Sequence, residues 1–424
     1  MADARPCESN GECKAPTPVC KISEQVCVEC DDNPDCPTER RYCDTSIDKC
    51  VECQVNAQCD STLCLAGTCA SSDDITYVSD SGTDNVVCSK AMPCQNLEQA
   101  LKPERLRKYI KVIGRISDDT VATIDDLTVS IFGDPQTSSI TRSSNGIVLE
   151  IKKSSKVTIV DLEIKGSSAD STGVLIKDAP GPTVSMTRVA INGHQGGILV
   201  SNGSLVLTDS SVFDNDEIGI EVSPMGGAMP SLELRRSSVY LNRGTSGVMA
   251  SGLTAVTIES SIIARNTGMS GGASIMIGRN FSMTNSIISA NGDAIVSTVG
   301  GLSLSAAELV FQFNTVSNNV SKNNTDVGIL CLGGLRLANS IFANNAVAGV
   351  CPVEYSLTSV VGTGNMTGDP AFLEDMDPTN KAFFRIGPNS AAKDVAEATT
   401  MIETDIDGQA RDDGKPDMGA DEYK

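Results

Sequence analysis

The chain has 424 residues, with 54 acidic against 33 basic side chains for a net charge of −21, and 16 cysteines. That balance argues against a nucleic-acid partner and against docking on an anionic membrane, since both reward lysine and arginine. No stretch reaches the roughly 20 apolar residues that cross a bilayer, so no membrane span is expected in this chain.

Twelve of the cysteines lie at 7, 13, 20, 27, 30, 36, 43, 50, 53, 59, 64 and 69. Shifting the first four by 23 residues reproduces the second four, and the third four follow the same plan with shorter spacers. The pairs Cys27-x2-Cys30 and Cys50-x2-Cys53 have the spacing of a four-cysteine zinc site. Such a site would leave eight thiols unexplained, whereas three four-cysteine modules use all twelve. Few large apolar side chains accompany them, so disulfides replace the missing core and the compartment is an oxidising one. On this register Cys27 closes one module and Cys30 opens the next, and three connectivities stay open within each. Residues 1–70 are read as a disulfide-rich module, 71–75 as a polar linker, and 76–424 as one region of different composition.

In that region Gly, Ser, Asn, Val, Ile and Leu take over, and repeats are sought before domains are counted. One phrase recurs: "LVLTDSSVFDN" (205–215), "LELRRSSVYLN" (232–242), "VTIESSIIARN" (256–266), "FSMTNSIISAN" (281–291) and "LRLANSIFANN" (335–345). Earlier copies are "VTIVDLEIKG" (157–166) and "VSMTRVAIN" (184–192), while "LSLSAAELVFQFNTVSNN" (302–319) is a copy with an insertion. Short Gly- or Ala-led apolar strands follow, among them "GGILV" (196–200), "IGIEV" (218–222), "SGVMA" (246–250), "ASIMI" (273–277), "DAIVS" (293–297) and "GILC" (328–331). Each unit therefore reads as three short strands, the first alternating so that one face points in and one out. No intervening segment is long enough for a crossover helix, so parallel strands must come from successive turns of a solenoid. The fold class is all-β, a parallel β-helix with three strands per coil.

The Asn that closes each phrase, at Asn192, Asn215, Asn242, Asn266, Asn291, Asn319 and Asn344, marks the turn from second to third strand. These residues tolerate left-handed backbone and are expected to stack as an internal amide ladder. Cys331 and Cys351 end "GILC" and "AGVC" at equivalent points of adjacent coils. Coils about 4.8 Å apart fall within the roughly 4.4–6.8 Å Cα separation of a disulfide, which predicts a Cys331–Cys351 bridge.

The segment "TYVSDSGTDNVVCSKAMPCQNLEQALK" (76–102) resembles the N-terminal opening of secreted pectin-lyase-like right-handed β-helix proteins. The resemblance implies a local Cys88–Cys94 bridge and a helix over 96–110, broken near Pro103, that covers the first coil. "VVGTGNMTGDPAF" (360–372), "RIGPNSAAKD" (385–394) and "TDIDGQARDDGKPDMGADEY" (404–423) resemble the closing segment of bacterial surface β-helix proteins of the choice-of-anchor type. The Cys-rich repeats resemble short extracellular modules that precede such domains. The implied location is extracellular or the bacterial cell surface. "MADARPC" has no apolar run, so a signal peptide and any anchor are expected to lie outside this chain. Capping at both ends of the solenoid implies a monomer.

Enzymes of that family act from the outer face of the first strand, where carboxylates bind Ca²⁺ and an Arg or Lys abstracts a proton, or where several Asp hydrolyse. Here the outward positions are mostly small hydroxyls: Thr158, Ser185, Thr187, Thr208, Thr257, Ser282, Thr284, Ser303 and Ser305, with Val206 among them. A central patch of Asp209, Glu233, Arg235, Arg236 and Glu259 is the exception and the catalytic candidate. The same row also reads as ordinary cross-strand charge pairing, about 0.2–1 kcal/mol for each pair. "DNDE" (214–217) reads as a solvated turn, and His194, the only histidine, as an exposed residue without partners. Calcium is the one ion the sequence suggests, with Asp405, Asp407, Asp412 and Asp417 as ligands and Asp413 beside them in a Gly-containing loop that lacks EF-hand spacing. Aromatic sugar platforms are scarce: Trp is absent, and Tyr240 is the one Tyr of the central coils. The function that follows is a binding, adhesion or structural module directed at polysaccharide or at another surface protein. The alternative is a polysaccharide lyase or glycoside hydrolase acting on acidic glycans from the central patch.

Overall fold

The computed structural model describes residues 6–142, 144–166, 171–322, 326–334, 336–374, 377–397, 402–412 and 414–424. Three long parallel sheets, of 12, 10 and 10 strands, wind around one another, and each strand pairs with its counterpart one coil away. Inward residues stack in register: Val184, Leu205, Leu232, Val256 and Phe281 form one column in the first sheet. Ile164, Ile191, Val212, Val239, Ile263 and Ile288 form another in the second. All of these are buried, and each removes from water a side chain whose burial stabilises by about 1.5–3 kcal/mol.

The corners follow a two-residue rule. Between first and second strands an outward residue in left-handed backbone (Asp161, Arg188, Asp209, Arg236, Ser260, Asn285) precedes an inward one, apolar at Leu162 and Val189 and polar in the coils that follow. The polar residue is Ser210, Ser237, Ser261, Ser286, Asn314 or Ser340, and each accepts the main-chain N–H of the coil before it at 3.0–3.1 Å. Between second and third strands the inward column is asparagine. The Asn215 amide donates to Asn242 Oδ1 (2.8 Å), Asn242 to Asn266 (2.9 Å), Asn266 to Asn291 (3.0 Å), Asn291 to Asn319 (2.9 Å) and Asn319 to Asn345 (2.8 Å). Glycine must open the third strand because this column leaves no space: a Cβ on Gly219 would meet Asn242 Nδ2 at 2.8 Å, and one on Gly247 would meet Asn266 Cγ at 2.6 Å.

Two members of the expected ladder lie elsewhere. Asn344 occupies the outward left-handed position, with φ 53°, and donates to Asn318, while its neighbour Asn345 takes the inward place. Asn192 pairs in register with Phe213 on the outer face and donates to Glu163 at 3.0 Å. The ladder position of its coil belongs to His194, which is fully buried rather than exposed. His194 donates its main-chain N–H to Asn215 Oδ1, sets Nδ1 3.0 Å from Ser171 Oγ, and has Nε2 3.2 Å from the Ile164 carbonyl. Burial pushes its pKa down to about 4, since the charged imidazolium would be desolvated there.

Further corrections concern the coil with the insertion and the ends. "DAIVS" is a turn, and Leu302–Ser305 is the third-sheet strand of that coil, paired with Ala273–Ile277. The first-sheet strand is Glu308–Gln312, so Ser303 and Ser305 lie on a different face from Thr158. The cap helix is a single turn, Leu97–Ala100, with Asn96 as its N-cap, and Tyr109–Ile113 is already a strand. The closing segment lies along the second sheet: Phe383, Phe384 and Ile406 pack on Ala264, Ile287 and Ile262, and Met418 packs on Phe313 and Ile341. Cys331 is bonded to Cys351 and Cys88 to Cys94. The register partner of Cys331 is Gly349, however, so Cys351 sits two residues past the equivalent position.

Each N-terminal module is a small hairpin cross-linked first-to-third and second-to-fourth: Cys7–Cys20 and Cys13–Cys27, Cys30–Cys43 and Cys36–Cys50, Cys53–Cys64 and Cys59–Cys69. Asn10, Asn33 and Asn56, again 23 residues apart, each accept the N–H of the third cysteine. The third module packs on the solenoid. Leu63 is buried against Ile75 and Tyr77, and the Tyr77 hydroxyl donates to the Ser61 carbonyl. Residues 71–75 therefore do not form a free linker: Ser72–Asp74 is a 3-10 turn and Ile75 begins the first-sheet strand.

Candidate functional site

The first sheet presents two outward rows. One runs Thr158, Ser185, Val206, Glu233, Thr257, Ser282 and the other Val160, Thr187, Thr208, Arg235, Glu259, Thr284. The catalytic candidate patch divides between this face and the corner beside it. Glu233 and Arg235 share the sheet face and hydrogen-bond to each other, with Glu259 in register beside Arg235. Asp209 and Arg236 sit at the corner, joined by a two-pronged contact of 2.7 and 3.1 Å. Asp161 and Arg188 continue the same corner row, joined at 2.6 and 2.8 Å. Sequence reasoning missed that second pair, although "VDLE" and "TRVA" place both residues where "TDSS" and "RRSS" place Asp209 and Arg236.

The carboxylates decide what these arginines can do. Asp161 pushes the Arg188 pKa up and Asp209 does the same for Arg236. An arginine that removes a proton must first be neutral, and both pairs shift the equilibrium away from that form.

Around the corner lies the second sheet, which the closing segment leaves open as far as Phe213 and begins to cover at Tyr240, where Phe383, Phe384 and Ile406 pack with Ala264 and Ile287. Its outward rows run Glu163, Ala190, Ser211, Ser238 and Lys165, Asn192, Phe213, Tyr240. Phe213 and Tyr240 stack with centroids 5.0 Å apart and planes 3° from parallel. A groove of about 580 Å³ follows this face, with Gln136, Glu163, Arg188, Asp209 and Ser211 among its walls. A second groove of about 500 Å³ shares Asp161 and Arg188 and is closed on its far side by Gln54, Val55 and Asn56 of the third Cys-rich module. At the other end of the sheet Asp214 and Asp216 of "DNDE" pair with Arg243 at 2.7 and 3.6 Å.

The four aspartates of the calcium expectation are not brought together. Asp405 and Asp407 gather with Asp421, one oxygen of each within 4.8 Å of the others. Asp412 is at the surface with Lys424, and Asp417 accepts the N–H groups of Asp394 and Tyr423. Asp413 lies outside the described residues. The division has a physical cause, because cationic and N–H groups already answer these charges. Arg385 grips Asp407 at 2.7 and 2.9 Å and approaches Asp421 to 3.5 Å. Asp405 accepts three main-chain N–H groups. Buried Arg411 reaches Glu422 at 2.8 Å and lies over the Phe313 ring.

Comparison with known proteins supports the fold. Residues 231–363 match the family model described as right handed beta helix region. Pectate lyase Pel9A is similar at 14% identity and a TM-score of 0.53, over 84% of this chain and 97% of that one. The enzymatically active domain of tailspike protein 2 from bacteriophage CBA120 is similar at 12% identity and a TM-score of 0.35, over 62% and 50% of the two chains. The A-module of Azotobacter vinelandii mannuronan C-5 epimerase AlgE6 is similar at 15% identity and a TM-score of 0.34, over 62% and 90%. No curated protein matches the sequence. The chain is a right-handed parallel β-helix preceded by a disulfide-rich module, and no helix among the described residues is long and apolar enough to cross a membrane.

Proposed function

We propose that this chain is an exported bacterial surface protein, of the choice-of-anchor type its closing segment resembles, that binds polysaccharide along the open face of the second sheet without cleaving it. The observation that carries the reading is the half-buried Phe213 ring, stacked on Tyr240 and two residues along the strand from Ser211 in the wall of a groove rich in hydrogen-bonding groups. Sugar rings present apolar C–H faces and polar edges, and a site pairing an aromatic surface with fixed donors and acceptors meets both. The acidic total charge favours a neutral chain, or an acidic one met at the Arg188 and Arg236 row. Pectate lyase Pel9A has a similar solenoid, and the polysaccharide named in its activity supports the same ligand class here. Catalysis is the weaker reading, because Arg188 and Arg236 are held charged by their aspartates.

The test is affinity electrophoresis through gels carrying acidic or neutral polysaccharides. Retardation should fall about tenfold in Phe213→Ala, equivalent to about 1.4 kcal/mol, and should survive Thr257→Ala on the first sheet. Equal retardation of both variants, or none in any gel, would overturn the proposal.

A further inference from the structure

The third sheet carries a groove of about 1090 Å³ that the sugar-binding reading does not use. Its floor is the run Leu175, Leu199 and Glu221 of an outward register row, which Glu150 precedes and Met249 follows one coil beyond the groove on either side. One wall is the turn at Ala179 and Pro180, and the other is the loop that carries Met225 and Met229, which are 73% and 62% exposed. An apolar groove with large exposed side chains on its rim marks a place where something docks, and methionine suits it to a partner's uneven side chains.

The two acids of the row differ in one respect. Glu150 is answered by two lysines, Lys177 at 2.8 Å and Lys152 at 3.1 Å. Glu221, between Leu199 and Met249, has no hydrogen bond or ion pair to the described residues, and burial alone raises its carboxyl pKa. A carboxylate set between apolar side chains is partly desolvated, and the same row shows lysine as the answer at Glu150, three coils earlier. From Leu175 to Glu221 is two coil steps of about 4.8 Å, roughly 10 Å, the span of about three extended residues.

We infer that this groove binds an apolar peptide segment of a partner protein, with a lysine whose ammonium pairs with Glu221 and whose methylene stem lies on Leu199. The stem-on-apolar, head-on-charge arrangement is the ordinary behaviour of long cationic side chains. The site is on a different sheet from the Phe213–Tyr240 face, so either can fail without the other.

The test is calorimetric titration of the full chain with the blocked peptide acetyl-Ala-Leu-Lys-Leu-Ala-amide. We expect measurable binding that weakens at least tenfold in Glu221→Gln, and equally when norleucine replaces the peptide's lysine. Phe213→Ala should leave it unchanged. Met229→Ala should weaken binding without touching the charge pair, so the norleucine discrimination persists in that variant. Equal affinity of wild type and Glu221→Gln, equal affinity of the two peptides, or no heat with either peptide would overturn the assignment.

Discussion

Replacing Asn266 with leucine tests the asparagine column at its centre. The Asn266 side chain donates to Val239 O (2.9 Å) and Asn291 Oδ1 (3.0 Å), and it accepts from the main-chain N–H (3.1 Å) and the amide (2.9 Å) of Asn242. Leucine is close in size but can make none of these bonds. The Asn242 N–H is left buried without a partner, which costs about 1–3 kcal/mol, while the Val239 carbonyl keeps its place in the strand ladder with the next coil. The expected loss is therefore about 1–3 kcal/mol, read as a fall in the urea midpoint at unchanged slope. Asn344→Gly is the control, since glycine accepts the left-handed backbone of that position without strain. Asn344 is exposed and sits outside the column, so its loss should stay within about 0.5 kcal/mol. Comparable losses in the two variants, or a loss under about 0.5 kcal/mol at Asn266, would refute the view that the inward amides hold the corners.

His194 makes stability depend on pH. Its folded pKa of about 4 lies below the unfolded value of 6.5, so the unfolded chain binds the extra proton between those values. Its contribution is complete above about pH 6.5 and is lost as pH falls toward 4, by about 3 kcal/mol in all. Asp421, raised to about 6 chiefly by burial, has the opposite slope between 3.8 and 6, so whole-protein curves blend the two. The measurement is the difference between His194→Asn and wild type, which should move in favour of the variant on acidification, and a pH-independent difference contradicts the assignment. The fully buried Lys111 ammonium is held by Asp134 Oδ1 (2.6 Å) and the Gly133 carbonyl (2.7 Å), and Asn56 of the third module also reaches Asp134. Asp134→Ala should cost about 3–5 kcal/mol by stranding that charge, and adding Lys111→Met should recover most of it in denaturant titration. Arg236→Ala removes an exposed pair and should change stability by no more than about 1 kcal/mol, a larger loss showing that the corner row is structural.

The solenoid was legible because its period is written in side chains that touch their own copies. A Leu-x-Leu strand, a Ser-Ser or Asn-Ser corner and a Gly-led strand each stack on the same element one coil on. Register at single residues was less legible. "FANN" offers two Asn and "INGH" an Asn and a His, and only the two-residue corner rule, one outward left-handed residue and then one inward amide or imidazole, assigns Asn345 and His194 to the column. Contacts across long stretches of chain left no local signal. Tyr77 reaching Ser61, Arg411 reaching Asn285 and Phe383 covering Ala264 depend on which faces the solenoid leaves open. The candidate site was half visible: Asp209 and Arg236 stood out as charges in a hydroxyl-rich phrase. Phe213 was passed over because its partner Tyr240 lies 27 residues on and meets it only through coil stacking.

The most direct test of polysaccharide binding without turnover is incubation of the chain with acidic polysaccharides, with and without Ca²⁺, while following the ultraviolet absorbance of unsaturated products and the appearance of new reducing ends. The account predicts retention on the polysaccharide that slows the protein in electrophoresis, with neither signal rising. Turnover of that polysaccharide, abolished by Arg235→Ala and spared by Phe213→Ala, would contradict it and move the working site to the first sheet.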